Sequence, residues 1–125
     1  MAISFVRAKA ISRGKGQSAV ACSAYRSGEK LIQENEGKKH DYTKKSGLLA
    51  EGLLCPEGLK MNRGELWNLV EKNENRKDAR LAKEFIVALP NELPINEQKK
   101  IAERIAKQLS SGDRFADWAI HEPSK

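Results

Sequence analysis

The chain has 125 residues, 39% of them hydrophobic and 32% charged, a length that suits one domain with a buried core. No run of about 18 apolar residues occurs and the N-terminus "MAISFVRAKA" lacks a signal-peptide core, so the sequence predicts a cytoplasmic protein with no membrane partner. The net charge of +6 is unevenly placed: residues 1–45 hold 10 Lys and Arg against 4 Asp and Glu, whereas residues 46–125 hold 13 of each sign.

Positive charge confined to one third of a chain favours a polyanion such as nucleic acid, through counterion release. The same charge also suits a solvated surface with no partner. Two cysteines, Cys22 and Cys55, are too few for a disulfide framework and have no metal-ligand spacing, so they read as reduced thiols.

In chain order, residues 2–10 alternate as a strand, with Ile3 and Phe5 on one side and Ser4 on the other. "SRGKG" follows as a flexible turn. From Gln17 to about Gln33 the pattern is helical, with Ser18 as N-cap and Ala21, Ala24, Tyr25, Gly28, Leu31 and Ile32 recurring at helical spacing. Residues 34–48 are polar and glycine-punctuated, which predicts a mobile loop, and "GLLAEGLLCPEGL" holds one brief strand. A helix starts at Asn62, with Glu65 in a capping-box position and Leu66, Leu69 and Val70 grouped beside Trp67. "RLAKEFIVALP" predicts a strand stopped by Pro90, and "PINEQKKIAERIAKQLSS" a helix with Ile101, Ile105 and Leu109 on one face. "RFADWAIH" closes the series as an alternating strand. The order β–α–(β)–α–β–α–β is α+β: a small antiparallel sheet with helices packed on it.

Few residues in this frame suggest chemistry. Tyr25 sits in the basic segment near Lys9, Arg13, Lys15, Arg26 and Lys30. A phenol attacks a phosphodiester only where its anion is stabilised, and a helical tyrosine more commonly packs. His121, at the end of the last strand, is a candidate metal ligand, but one histidine is not a site, and His40 lies in the charged loop where exposure is the default. Glu84 opens an apolar run; it reads either as a solvent-facing strand residue or as an acid held beneath a site. Arg76, Lys77 and Arg80 suit phosphates and ordinary surfaces alike.

Three ordered blocks resemble one family. "MAISFVRAKAISRGKGQSAVACSAYRSGEK" is similar to the N-terminus of MobA/MobL-type (MobQ) plasmid-mobilisation relaxases, and "LWNLVEKNENRKDARLAKEFIVALPNELP" resembles their second block. An amphipathic helix followed by a strand ending in "IH" continues the likeness to His121. The resemblance implies an HUH-endonuclease-like fold that nicks a transfer origin for conjugation. In that reading Tyr25 is the nucleophile and forms a 5′-phosphotyrosyl link to single-stranded or hairpin DNA. It implies Glu84 as a nearby catalytic acid and His121 as the first of three histidines for a divalent metal such as Mg or Mn. The DNA-facing set it implies is Lys9, Arg13, Lys15, Gln17, Ser18, Arg26, Arg76, Lys77 and Arg80.

The family's other two histidines lie downstream in an H-x-H motif that this sequence does not reach. The expectation is therefore a single relaxase-like domain over residues 1–125 lacking that strand, with weak metal binding and impaired nicking. A complementary polypeptide or self-association would have to supply the strand. The alternative is a non-catalytic nucleic-acid-binding or partner-pairing fragment of the same scaffold.

Overall fold

The computed structural model describes residues 6–74, 76–90, 92–111 and 114–122, and comprises six strands, three helices and one 3-10 turn. β1 (Val6–Ser12) runs antiparallel to β5 (Arg80–Val87), with Lys9 opposite Glu84 and a bulge between Ile11 and Ser12. Ile3, Ser4 and Phe5 of the predicted first strand lie outside the described residues. The basic turn after β1 is a 3-10 turn, Arg13–Lys15, closed by Gly16 at φ 75°.

Helix α1 (Ala19–Ser27) is capped by Ser18, whose hydroxyl accepts from the Ala21 N–H at 3.1 Å. It ends six residues before the predicted Gln33. Gly28 adopts φ 69° and returns its N–H to the Ala24 carbonyl, a left-handed cap that glycine takes at no steric cost. A Cβ at Gly28 would also come within 3.1 Å of Leu48 Cδ2. Leu31 and Ile32 therefore leave the helical stripe and join β2 (Lys30–Gln33), which pairs antiparallel with β3 (Lys38–Asp41). Part of the predicted loop over residues 34–48 is thus a hairpin. Neither strand carries a regular apolar alternation, and Gln33 is the buried residue of the pair.

β4 (Leu48–Leu54) and β6 (Ala116–His121) form a third antiparallel ladder. Gly52 faces Trp118 across it, and a Cβ there would sit 2.6 Å from the indole, so only glycine lets the ring lie over the strand. Helix α2 (Arg63–Asn73) begins with the predicted capping box: the Asn62 side chain accepts from the Glu65 N–H at 2.8 Å, and Glu65 accepts from the Asn62 N–H at 3.0 Å. Helix α3 (Ile95–Leu109) packs on β4 and β6 through buried Ala106, while Leu109 stays largely exposed. The architecture is α+β with antiparallel strands, arranged among the described residues as three two-stranded ladders. No helix among those residues is long and apolar enough to cross a membrane.

Ile11, Ala19, Ala79 and Leu81 form an apolar cluster that Cys22, Trp67, Val70 and Ala82 extend. A charged hub lies alongside. Arg63, buried at the start of α2, donates to Asp117 Oδ1 on β6 at 2.8 Å, to Glu51 on β4 at 3.0 Å and to Glu29 at 3.2 Å. Asp117 Oδ2 also accepts from Ser23 Oγ on α1 at 2.6 Å and from Trp67 Nε1 at 2.8 Å. Burial alone would push the guanidinium down; Asp117 and Glu51 outweigh it and hold Arg63 above its ordinary value.

A second tie joins α1 to α2. Buried Glu71 accepts from the Ala19 N–H at 3.3 Å, and Arg13 donates to the Glu71 carbonyl at 2.8 Å. Burial raises the Glu71 carboxyl above its ordinary 4.5, against the opposing pull of Ser18, the Ala19 N–H and Arg13.

Two outcomes follow. Arg63→Ala strands Asp117 without its counter-charge, and urea unfolding should show a loss of about 3 kcal/mol or more. For Glu71, the folded state holds its proton to higher pH than the unfolded chain. Its favourable contribution is thus complete below pH 4.5 and lost as pH rises through the folded value. Glu71→Gln mimics the protonated form, so its denaturation midpoint should exceed wild type at pH 7 and converge with it near pH 4.

Candidate functional site

Helix α1 buries Ala19, Val20, Ser23, Ala24 and Ser27, which leaves Ser18, Ala21 and Tyr25 on the outward stripe. Tyr25 is 51% exposed. Its ring meets Tyr42 edge to face, with centroids 5.3 Å apart and planes at 85°. Lys45 Nζ lies 3.4 Å from the Tyr25 ring centroid and donates to the Tyr25 carbonyl at 3.0 Å. The phenol is therefore held in place by loop residues and open to solvent. It is not a core residue.

The next residue, Arg26, faces inward to β5, where its guanidinium pairs with Glu84. Glu84 is 7% exposed and also meets Lys9 across the β1–β5 ladder at 3.6 Å, so it is not the solvent-facing strand residue that its sequence position allowed. Half-buried His121 ends β6 beside the same group. Burial, then Lys45 and Arg26, hold its imidazole below the ordinary 6.5, partly offset by a hydrogen bond to the Arg26 backbone. Arg26 thus links buried Glu84 to the surroundings of His121, while Lys45 acts on both the Tyr25 ring and His121.

The described residues do not fit a divalent ion. The charged groups acting on His121 are cations, and among the described residues no three His, Cys, Asp or Glu side chains gather for a metal. His40 is half-buried on β3 with Nε2 2.8 Å from Gln33 Oε1, in contrast to the exposure expected of it.

The sequence-predicted DNA-facing residues divide into two groups. Arg13 turns its guanidinium to the carbonyls of Glu71, Glu74 and Arg76, Gln17 Oε1 accepts from the Ser12 N–H at 2.9 Å, and Ser18 caps α1. These three side chains bond within the fold. Lys15, Arg76, Lys77 and Arg80 are exposed and gather where the 3-10 turn meets the start of β5: Ser12 pairs with Arg80, and Gly14 lies against Lys77 and Asp78. Lys9 and Arg26 belong instead to the Glu84 group. Sequence reasoning missed Lys45 and Tyr42, because residues inside a charged loop carry no periodicity that ties them to a helix about 20 positions earlier. It missed Arg63 and Asp117 as well, whose charges look like ordinary surface.

With this geometry in hand, comparison with known proteins is specific. A family model described as MobA/MobL family matches residues 17–125. The chain is 42% identical over 126 residues to a mobilization protein MobL of Acidithiobacillus ferridurans, covering 98% of this chain and 33% of the relative. It is 35% identical to a conjugal transfer protein TraA of Rhizobium radiobacter and 32% identical to a probable mobilization protein MobA of Bifidobacterium longum, covering 12% and 22% of them. The chain thus spans a third or less of these relatives' length. A solved structure described as the molecular basis of vancomycin resistance transfer in Staphylococcus aureus superposes with a TM-score of 0.82 at 28% identity, over 96% of this chain and 70% of that one.

The ion pairing predicts a variant pair. Arg26→Ala leaves the Glu84 carboxylate buried with only the half-exposed Lys9, and should cost about 2 kcal/mol, less than a fully buried pair because Arg26 is partly solvated. Adding Glu84→Gln removes the stranded charge, so the double variant should regain most of that loss in urea titration.

Proposed function

The chain belongs to the MobA/MobL family of relaxases, which serve plasmid mobilisation and conjugation, and we propose that Tyr25 is the nucleophile of a DNA strand transfer. The substrate is single-stranded or hairpin transfer-origin DNA. The observation that supports this most is the half-exposed phenol on α1 with Lys45 on its ring.

The phenol oxygen attacks phosphorus as the P–O3′ bond breaks. The phenol proton passes to solvent, the departing 3′ oxygen takes a proton from solvent, and the products are a 5′-phosphotyrosyl link and a free 3′-OH. One P–O ester replaces another, so the phosphoester bond is conserved and a 3′-OH can reverse the step. Charge that builds on the non-bridging oxygens faces Lys45, whose ammonium is fixed by the Tyr25 carbonyl. Glu84 acts as a positioning residue: its pairing with Arg26 orients that cation from the buried side. His121, kept neutral by burial and neighbouring cations, offers a lone pair to the same site. The family's metal would polarise the phosphate; with one imidazole among the described ligands, no step here runs through it.

Single-stranded oligonucleotides tiling the DNA that flanks the chain's own gene supply the test. Wild type should yield a covalent adduct that maps to Tyr25 by mass spectrometry. Tyr25→Phe should abolish the adduct and leave salt-sensitive binding intact. An adduct that persists in Tyr25→Phe contradicts the assignment. Salt-sensitive binding with no wild-type adduct would favour the non-catalytic binding fragment.

A further inference from the structure

The Tyr25 phenol is half-exposed on the outward stripe of α1, and a tyrosine so placed has two open χ1 rotamers, since a helix bars only the third. An exposed side chain exchanges between such rotamers in picoseconds to nanoseconds. A nucleophile divided between two positions meets its phosphate for only part of the time, and the rate of attack falls with the competent fraction.

Residues 42–47 supply what selects one position. The Tyr42 ring stands edge to face with the Tyr25 ring at 5.3 Å, and Lys45 reaches the Tyr25 ring from the same loop. Backbone bonds set the path of this loop. The Tyr42 N–H donates to the Glu29 carbonyl at 3.1 Å, the Lys45 N–H to the Tyr42 carbonyl at 3.0 Å and the Glu122 N–H to the Gly47 carbonyl at 2.7 Å. Asp41 adds a brace, its Oδ1 accepting from the Thr43 N–H at 3.0 Å and from the Thr43 hydroxyl at 2.7 Å. The loop is thus fastened to the turn after α1 at one end and to the residue after His121 at the other. None of these bonds uses the Tyr42 side chain, so the loop keeps its path without that ring. A lysine stem is flexible and follows its partner, whereas an aromatic ring on a braced backbone is a rigid wall.

We infer that Tyr42 is a positioning residue for the strand transfer: its ring holds the Tyr25 phenol in one rotamer, in register with the strand that ends in His121. The inference rests on the strand-transfer reading above and deepens it, because Tyr42 acts through Tyr25 and not on the phosphate.

The test compares Tyr42→Leu and Tyr42→Phe with wild type. The chain has two tyrosines, so their NMR signals assign by difference. Without DNA, wild type should show a nuclear Overhauser effect between the two rings and unequal Hα–Hβ couplings at Tyr25, the signature of one χ1 rotamer. Those couplings should average in Tyr42→Leu. With a saturating concentration of the oligonucleotide that yields the Tyr25 adduct, Tyr42→Leu should form it about tenfold or more slowly, while its Kd stays within about twofold of wild type. Tyr42→Phe keeps the ring and should recover most of the rate together with the unequal couplings. A wild-type adduct rate in Tyr42→Leu overturns the positioning role alone. So does a slower adduct that weaker DNA binding accounts for, or one that Tyr42→Phe does not recover. Failure of wild type to form any adduct overturns the strand-transfer reading and the positioning role with it.

Discussion

The Arg63–Asp117 pair ties the fold together. Asp117 reaches α1 through Ser23 and α2 through Trp67, while Arg63 adds Glu51 of β4 and Glu29 in the turn after α1. Four elements remote in sequence thus meet at one buried ion pair. Such a pair is weak evidence for net stability but strongly specifies geometry, since any slip leaves a charge without its partner. Three separate two-stranded ladders need such a device, because no continuous sheet among the described residues fixes their mutual positions.

The hub fixes the placement of α1. Ser23 is held from the inner side by Asp117, and Ala19 by Glu71. With that face anchored, Ser18, Ala21 and Tyr25 must point outward, and Arg26 must reach Glu84. The small residues of α1 are explained in the same terms: Ala19, Ser23, Ala24 and Ser27 let the helix lie close to its neighbours. The cation on the Tyr25 ring, Lys45, comes from the loop after β3 and not from α1. The site is a property of the assembled fold.

Much of this was legible in the sequence where the physics is local. The Asn62–Glu65 capping box, the strand halted before Pro90 and the long amphipathic helix all follow from short-range patterns. That Tyr25, Glu84 and His121 belong together was suggested only by resemblance to a family, since nothing in their spacing relates them. The helix expected to run to Gln33 failed at Gly28, where left-handed backbone and the nearness of Leu48 decide the stop. The β2–β3 hairpin was illegible because its strands bury a glutamine instead of an apolar row. Arg13 and Gln17 illustrate a further limit: the family resemblance implies that they face DNA, while their side chains bond within the turn between β1 and α1.

The central claim is that the outward stripe of α1 is the track of a DNA strand. Titration of the labelled protein with single-stranded DNA, followed by amide and side-chain NMR shifts, tests it most directly. The account predicts the largest shifts at Ser18, Ala21, Tyr25 and Lys45. Shifts concentrated on α3 or on the outer face of α2, with the α1 stripe unmoved, would contradict it.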